Sequence, residues 1–468
     1  MDGIESEQAR VYPEAKVVDH SQAPRHSVRS VTHRRQRQQR MVWAWSTSLL
    51  SKIATVGVQL LAVPLVYRAL GEGGYAAYAA VTAAAGLMGV LNLGIGGSLV
   101  TPIAEAAARS DEREQAMLVQ AGLGPLVLLC LFGLVAVIPV VAFVPLSTLF
   151  GRVGATGAMD LRLAALIAVS ATLAAIPLSS VSFLRQAYQE IHVSNLIGTG
   201  FNFLLLVALL VAVKRSSALA VFVAIFVLVP LGANILNFGL LFVQRRFLLR
   251  RESRSIWETA RHLMADGIRF LSASLSNILV YQWPVYWIAR TLPASASSTF
   301  AICMQVTVLP IAFVLGLLQP LWSSTADALA RADHDWLNRQ IKRGRAVILT
   351  VGGGAFFTML IFGERLVHLW LRKPIALDWR VRGLIGAYIL LAIWEHFYFI
   401  TALGLGRLRE ATMAVFQRAV GFAIAVPLLT MIGGAKAIWC GMCCSILFWS
   451  AWRLPRLLPA HVIRLGNR

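Results

Sequence analysis

An all-α polytopic membrane protein of about twelve transmembrane helices in two six-helix lobes is the fold class this sequence predicts. Three observations point to it. Hydrophobic residues make up 57% of the 468 and charged residues only 14%, where a soluble chain carries nearer a quarter charged; mean hydropathy is +0.68. Apolar runs of about 20 residues recur along the chain, each long enough to cross roughly 30 Å of hydrocarbon, whereas a β-barrel would show short alternating segments. One stretch also occurs twice. An offset of about 222 residues lays Arg68 on Arg290, Leu70 on Leu292, Tyr78 on Phe300, Gly94 on Gly316, Glu105 on Asp327, Arg109 on Arg331 and Asp111 on Asp333. Charged and turn positions at both ends match in register, so the chain reads as a duplication.

Taken in order, residues 1–42 are polar, acidic at first and then basic through Arg25, Arg29, Arg34, Arg35, Arg37 and Arg40. They read as a disordered cytoplasmic tail whose basic end rests on anionic head groups. It is not a cleavable signal, because the apolar segment that follows is long and lacks a cleavage pattern. Spans are expected at 43–66, 76–101, 117–143, 161–184, 191–213, 217–243, 270–289, 297–325, 346–363, 383–403, 411–431 and 437–453. The first lobe covers 43–243, a basic cytoplasmic loop 244–269, the second lobe 270–453, and a cytoplasmic tail 454–468. Lys and Arg concentrate in the loops on the side of the amino terminus, which sets both termini inside. An even number of spans per half makes the halves parallel, related by an axis along the membrane normal.

The net charge of +21 does not imply a nucleic-acid partner, because the basic residues sit in short loops between apolar runs. Loops on the far side are short, with no paired acids, no His cluster and no GxxxxGK[ST] phosphate loop, so no catalytic residue is assigned. Cys440, Cys443 and Cys444 contain a Cys-x-x-Cys spacing but have no second ligand pair, and they read as packing residues of the last span. No metal site and no cofactor are expected.

Polar residues within spans carry the functional signal, because an ion in hydrocarbon costs several kcal/mol. Ser48, Lys52, Thr55 and Gln59 follow helical spacing and form a stripe on the first span. Lys52 lies roughly 15 Å deep by the helical rise, where it either lines an anion-attracting cavity or bonds a neighbouring helix. Asn92 belongs to a second stripe with Tyr78, Thr82, Ala85, Gly89 and Gly96. Arg269, Ser272 and Ser276 share a face of the seventh span, as do Gln305 and Gln319 of the eighth. Arg418, a third of the way into the eleventh span, is expected to snorkel back inside. Glu395 and His396 form an acid–imidazole pair deep in the tenth span, suited either to ion coupling or to a satisfied polar contact. Pro64, Pro284, Pro310 and Pro427 should bend their spans.

A-L-G-E-G-G-Y-A-A-Y after the first span resembles the turn of the polysaccharide-biosynthesis flippases that export O-antigen-type lipid-linked oligosaccharides. N-L-G-I-G-G-S-L-V closing the second span and L-Q-P-L-W-S-S-T-A-D-A-L-A-R-A-D at 318–333 are similar to two further patterns of that family, although Ala76 and Asn92 depart from its usual glycine and aspartate. The resemblance places the chain in the multidrug/oligosaccharidyl-lipid/polysaccharide exporter superfamily. It implies a V-shaped bundle working by alternating access, with spans one, two, seven and eight around a cationic central cavity. The function it implies is a flippase moving an undecaprenyl-pyrophosphate-linked oligosaccharide across the bacterial inner membrane for O-antigen, capsule or exopolysaccharide. Lys52 and Arg269 would meet the phosphates, and Gln59, Asn92, Asn277, Gln305 and Gln319 the sugars. The implied partners are the lipid-linked oligosaccharide, the phospholipid membrane and a polysaccharide assembly machinery, with the protein a monomer. The alternatives are a multidrug or small-molecule exporter of the same architecture, a peptidoglycan-precursor flippase, and a membrane glycan polymerase or transferase.

Overall fold

The computed structural model describes residues 27–154, 158–250, 256–330, 333–373 and 375–458; the side chains of residues 27–46, Ser48, Arg269, Gln319 and Asp327 are among those outside the described residues. The chain divides into two compact units, Met1–Ser46 and Thr47–Arg468. In the first, a helix begins at Ser27, inside the stretch expected to be disordered; its Arg and Gln residues are good helix formers. Residues 1–26 of that tail and 459–468 of the other lie outside the described residues.

Helix α1 (Ser27–Leu87) holds the first two spans. Gly71, at φ 68°, divides them in a backbone conformation that glycine adopts without strain, and Tyr67 and Tyr75 pack edge to face across the break at 5.6 Å. A 3-10 turn over Met88–Asn92 follows. Leu93 (φ 49°) and Gly94 (φ 68°) then break the second span before α2 (Ile95–Ala108). The first half continues through α3 (Glu112–Phe143), α4 (Leu146–Gly154), α5 (Ala158–Ser179), α6 (Val181–Ala187), α7 (Ile191–Arg215) and α8 (Leu219–Gln244). The second half comprises α9 (Ile256–Asn277), α10 (Trp283–Thr291), α11 (Ala294–Ala330), α12 (His334–Val347), α13 (Gly353–Leu371), α14 (Trp379–Gly404), α15 (Leu408–Ser445) and α16 (Ala451–Arg456). Among the described residues there is no strand.

Nine intervals among the described residues are long and apolar enough to cross a membrane. Leu50–Asn92 contains the break at Gly71, and Leu408–Arg456 contains one at Gly433–Gly434, so each holds two expected spans. The seventh span is α9 with α10, whose polar leading half lowers its hydropathy. All twelve expected spans thereby have a helix. Side chains such as Phe132, Phe143, Leu369, Met431 and Phe448 are exposed around the bundle, the surface a protein solvated by lipid tails presents.

The duplication is visible in the caps. Asp111 accepts from the Glu114 amide at 2.9 Å, and Asp333 accepts from the Trp336 amide at the same distance. Each satisfies an orphan donor at the start of a helix, α3 and α12. The copies differ at Gly94 and Gly316. The first breaks its span; the second lies within the continuous α11.

The expected loop over 244–269 is largely helical. Ile256, Ala260, Leu263 and Met264 lie on one face of α9 and join the apolar cluster formed by α2, α3 and α5. Gly267 permits this approach, since a Cβ there would come within 2.7 Å of the Leu93 carbonyl. At its other end the seventh span again meets the first half: Tyr286 of α10 donates to the Leu149 carbonyl of α4 at 2.5 Å. The seventh span therefore touches the first half at both its ends.

Candidate functional site

Between the spans of α1, the seventh span and α11 lies a cavity of about 360 Å³. Gln59 of the first span, Tyr78 and Thr82 of the second, Asn277, Tyr281 and Gln282 of the seventh, and Gln305 of the eighth line it. These are the four spans named by the resemblance. Local chemistry explains the geometry of the seventh. Pro284 has no amide hydrogen for the carbonyl four residues earlier, and the helix widens just before it into a π turn over Ile278–Gln282. That turn carries Tyr281 and Gln282. Gly86 on the second span makes room for Gln282, whose Cδ would lie 2.9 Å from an added Cβ.

Of the residues expected from sequence, the cavity brings together Gln59, Asn277 and Gln305. Lys52 is exposed, two turns before Gln59, with its stem beside Gly316 of α11. Asn92 sits half-buried in the 3-10 turn and is not part of the lining. The side chains of Arg269 and Gln319 lie outside the described residues. The single polar stripe of the first span divides. Lys52 and Gln59 are nearly two full turns apart, whereas Thr55 is rotated about 60° away and accepts from Asn202 of α7 at 3.0 Å. Thr55 thus lines a second cavity, about 240 Å³, inside the first half with Asn202, Asn234 and Asn237. The implied cationic interior is also not what the described residues form: no charged side chain lines the central cavity, which offers amides and hydroxyls.

The expected acid–imidazole pair is separated. Neighbouring residues on a helix point about 100° apart, and Glu395 faces α15 instead. Its Oε1 lies 2.9 Å from Nε of Arg418, both side chains buried, and the contact is one of charge more than of an aligned hydrogen bond. His396 Nδ1 lies 2.6 Å from the Ala392 carbonyl of its own helix. Arg418 does not snorkel, because the carboxylate and the Ser445 hydroxyl, at 3.4 Å, receive it at depth.

A second buried cation escaped the sequence reading. Arg185, fully buried on α6, donates to Asn237 Oδ1 at 2.5 Å and pairs with Glu190 at 3.1 Å; Glu190 also holds Arg245 at 2.6 Å. Arg245 lies 4.0 Å over the Tyr188 ring. Burial pushes the Tyr188 hydroxyl up to about 12, against the opposing pull of the Arg245 cation. The sequence signal was an Arg and a Glu five residues apart at a helix end.

The family model for polysaccharide biosynthesis proteins matches residues 42–325. A putative O-antigen transporter of Salmonella typhi is 22% identical over 362 residues, covering 75% of this chain and 78% of the relative. An inward-facing multidrug resistance MATE family transporter of the MOP superfamily superposes with TM-score 0.61 at 13% identity, over 90% of this chain and 95% of the other. An MOP superfamily transporter from Pyrococcus furiosus gives TM-score 0.61 at 15% identity, over 89% and 95%. At these identities the solved structures establish the fold.

Proposed function

The chain belongs to the polysaccharide biosynthesis protein family, and from that membership we propose that it is a flippase for an undecaprenyl-pyrophosphate-linked oligosaccharide. It would carry this lipid across the bacterial inner membrane, with both termini cytoplasmic, for assembly of a surface polysaccharide. The observation that carries the reading is the lining of the central cavity: Gln59, Asn277, Gln282 and Gln305 around Tyr78 and Tyr281. Amides both donate and accept, which suits the mixed hydroxyls of a sugar. Aromatic rings add apolar faces for its C–H surfaces. A cavity for organic cations would call for carboxylates, and none is among the lining residues.

Lys52 extends the first-span face beyond Gln59 toward the amino-terminal end, where an exposed ammonium would attract the pyrophosphate while the isoprenyl tail stays in lipid. Alternating access requires the seventh span to part from the first half at one end at a time, at the Gly267–Leu93 approach or at the Tyr286–Leu149 hydrogen bond. Ion coupling through Glu395 and His396 would have to act through the ion pair with Arg418. The test is deletion of the gene with assay of lipid-linked glycan on each face of the membrane. Accumulation on the cytoplasmic face, reversed by the intact gene, is expected; normal export without accumulation overturns the proposal.

A further inference from the structure

We propose that a groove between α15 and α16 binds the phosphate of an anionic phospholipid, at a site separate from the central cavity. The groove has a volume of about 360 Å³ and shares no lining residue with that cavity. Arg453 and Arg456, at the end of the last span, line it from α16; Met413 and Gln417, near the start of the eleventh, line it from α15. Helical phase sets it against lipid. Met413, Gln417, Ile424, Leu428 and Met431 fall on one face of α15, and the four apolar members of that face are exposed. Trp452, also exposed, lies one turn before Arg456. Exposed apolar side chains on a span face lipid tails, and a tryptophan at a span end marks the level of the head groups.

The polar groups of the groove are arranged to donate. Arg453 Nη1 donates to Gln417 Oε1 at 2.7 Å, and the same guanidinium lies 4.7 Å over the Trp449 ring. An exposed arginine is thereby held in one place, so less side-chain freedom is left to lose on binding. A guanidinium only donates, so the Gln417 oxygen must face Arg453, which leaves the Gln417 amide NH2 as a further donor. Arg456 is exposed and pairs with no acid among the described residues. Glu410 also lines the groove, but Arg407 holds it at 3.0 Å, so the two guanidiniums are the uncompensated charges. Two cations and an amide donor beside the apolar Met413 and Leu457 match a phosphate and the first carbons of its glyceryl ester. Inorganic phosphate lacks the apolar part, and a zwitterionic lipid brings an ammonium toward the arginines. With the carboxyl terminus cytoplasmic, the site belongs to the cytoplasmic leaflet, whose anionic lipids supply the ligand.

The test uses the full chain, stripped of lipid in detergent, with phosphatidylglycerol, phosphatidylcholine and inorganic phosphate as probes. Native mass spectrometry counts bound lipid, and the thermal midpoint reads stabilisation, since a ligand bound only by the folded chain raises it. The wild-type protein should retain phosphatidylglycerol in preference to phosphatidylcholine and gain stability from it, and inorganic phosphate should give no gain. Arg453→Gln with Arg456→Gln should weaken phosphatidylglycerol about tenfold, the scale of a hydrogen bond to a charged group. Arg453→Lys with Arg456→Lys keeps the charge but loses the planar fork and its ring stacking, so it should weaken the same lipid in part and carries the test if the glutamine pair lowers the lipid-free midpoint. Arg113→Gln with Arg339→Gln, exposed arginines of α3 and α12, should bind as the wild type does. No preference in the wild type, full binding by the glutamine or the lysine pair, or an equal loss in the control pair overturns the site. Stabilisation by inorganic phosphate equal to that by phosphatidylglycerol overturns the lipid as its ligand. All of these readings are independent of the cargo, so failure here leaves the proposed function standing.

Discussion

Arg418 on α15 and Glu395 on α14 stand 2.9 Å apart, Nε to Oε1, with side chains only 5% and 3% exposed. Two helices of the second half are joined there by opposite charges inside the apolar packing. Removing one partner leaves the other as an uncompensated ion, at a cost of about 3–5 kcal/mol, whereas replacing both with apolar residues of similar size is close to neutral. Glu395→Ala and Arg418→Ala should each lower the unfolding temperature in detergent sharply. Glu395→Leu combined with Arg418→Met should recover most of it. A double variant as unstable as either single one would show that the pair does not act as a unit.

The two caps left by the duplication should be equivalent in energy. Asp111→Ala and Asp333→Ala each remove an acceptor 2.9 Å from an amide at a helix start, with an expected cost of about 1 kcal/mol apiece. The sites are far apart in sequence and on different helices, so the losses should add. Thermal unfolding of the two single variants and the double variant checks this.

Filling the cavity should stop transport without unfolding the protein. Gly86 has the Gln282 side chain where a Cβ would go, so Gly86→Val must displace it into the cavity. Gln59→Ala with Gln305→Ala should likewise reduce glycan export at normal membrane abundance, since each amide borders the cavity. Lys52→Ala should reduce export more than Lys52→Arg does. Full export by Lys52→Ala at wild-type abundance would remove Lys52 from the site.

Between the spans, the Asp378 carboxyl is held below its usual range, first by its 2.8 Å hydrogen bond from Lys436 and then by the Arg380 amide. A carboxylate depressed in the folded state stabilises above its unfolded value near 3.9 and loses that contribution as pH falls through the folded value. Asp378→Asn should therefore flatten the acid side of the stability profile below about pH 4. The group is solvent-exposed, so the effect is small and should shrink further in high salt. An unchanged acid limb in low salt would count against the pair.

Much of the fold could be read from residues. Matched charged and turn positions, Asp111 and Asp333 among them, announced the duplication, and the structure shows these two as helix caps. Helical phase marked Gln59 and Gln305 as polar positions within their spans, and the family resemblance supplied the cavity for them and for Asn277, since a polar side chain within a span needs either water or a polar neighbour. Tyr281 and Gln282 could not, because their direction depends on the π turn before Pro284. Arg418 and Glu395 lie 23 positions apart in sequence, and nothing in that spacing tells which face of α15 meets α14.

The sequence by itself determined an all-α chain of about twelve apolar spans, a stretch that recurs in each half, and which spans carry polar side chains within their apolar runs; the four spans around a cavity came from the family resemblance. Hydropathy, turn residues and helical period are properties of single segments, and a bilayer leaves each segment little choice. Tertiary structure decided the partners. It split the first-span stripe between two cavities, turned Glu395 from His396 to Arg418, and packed the start of α9 against the first half. Those outcomes depend on which helix faces arrive together, and a buried charge goes to whichever opposite charge the packing brings within reach.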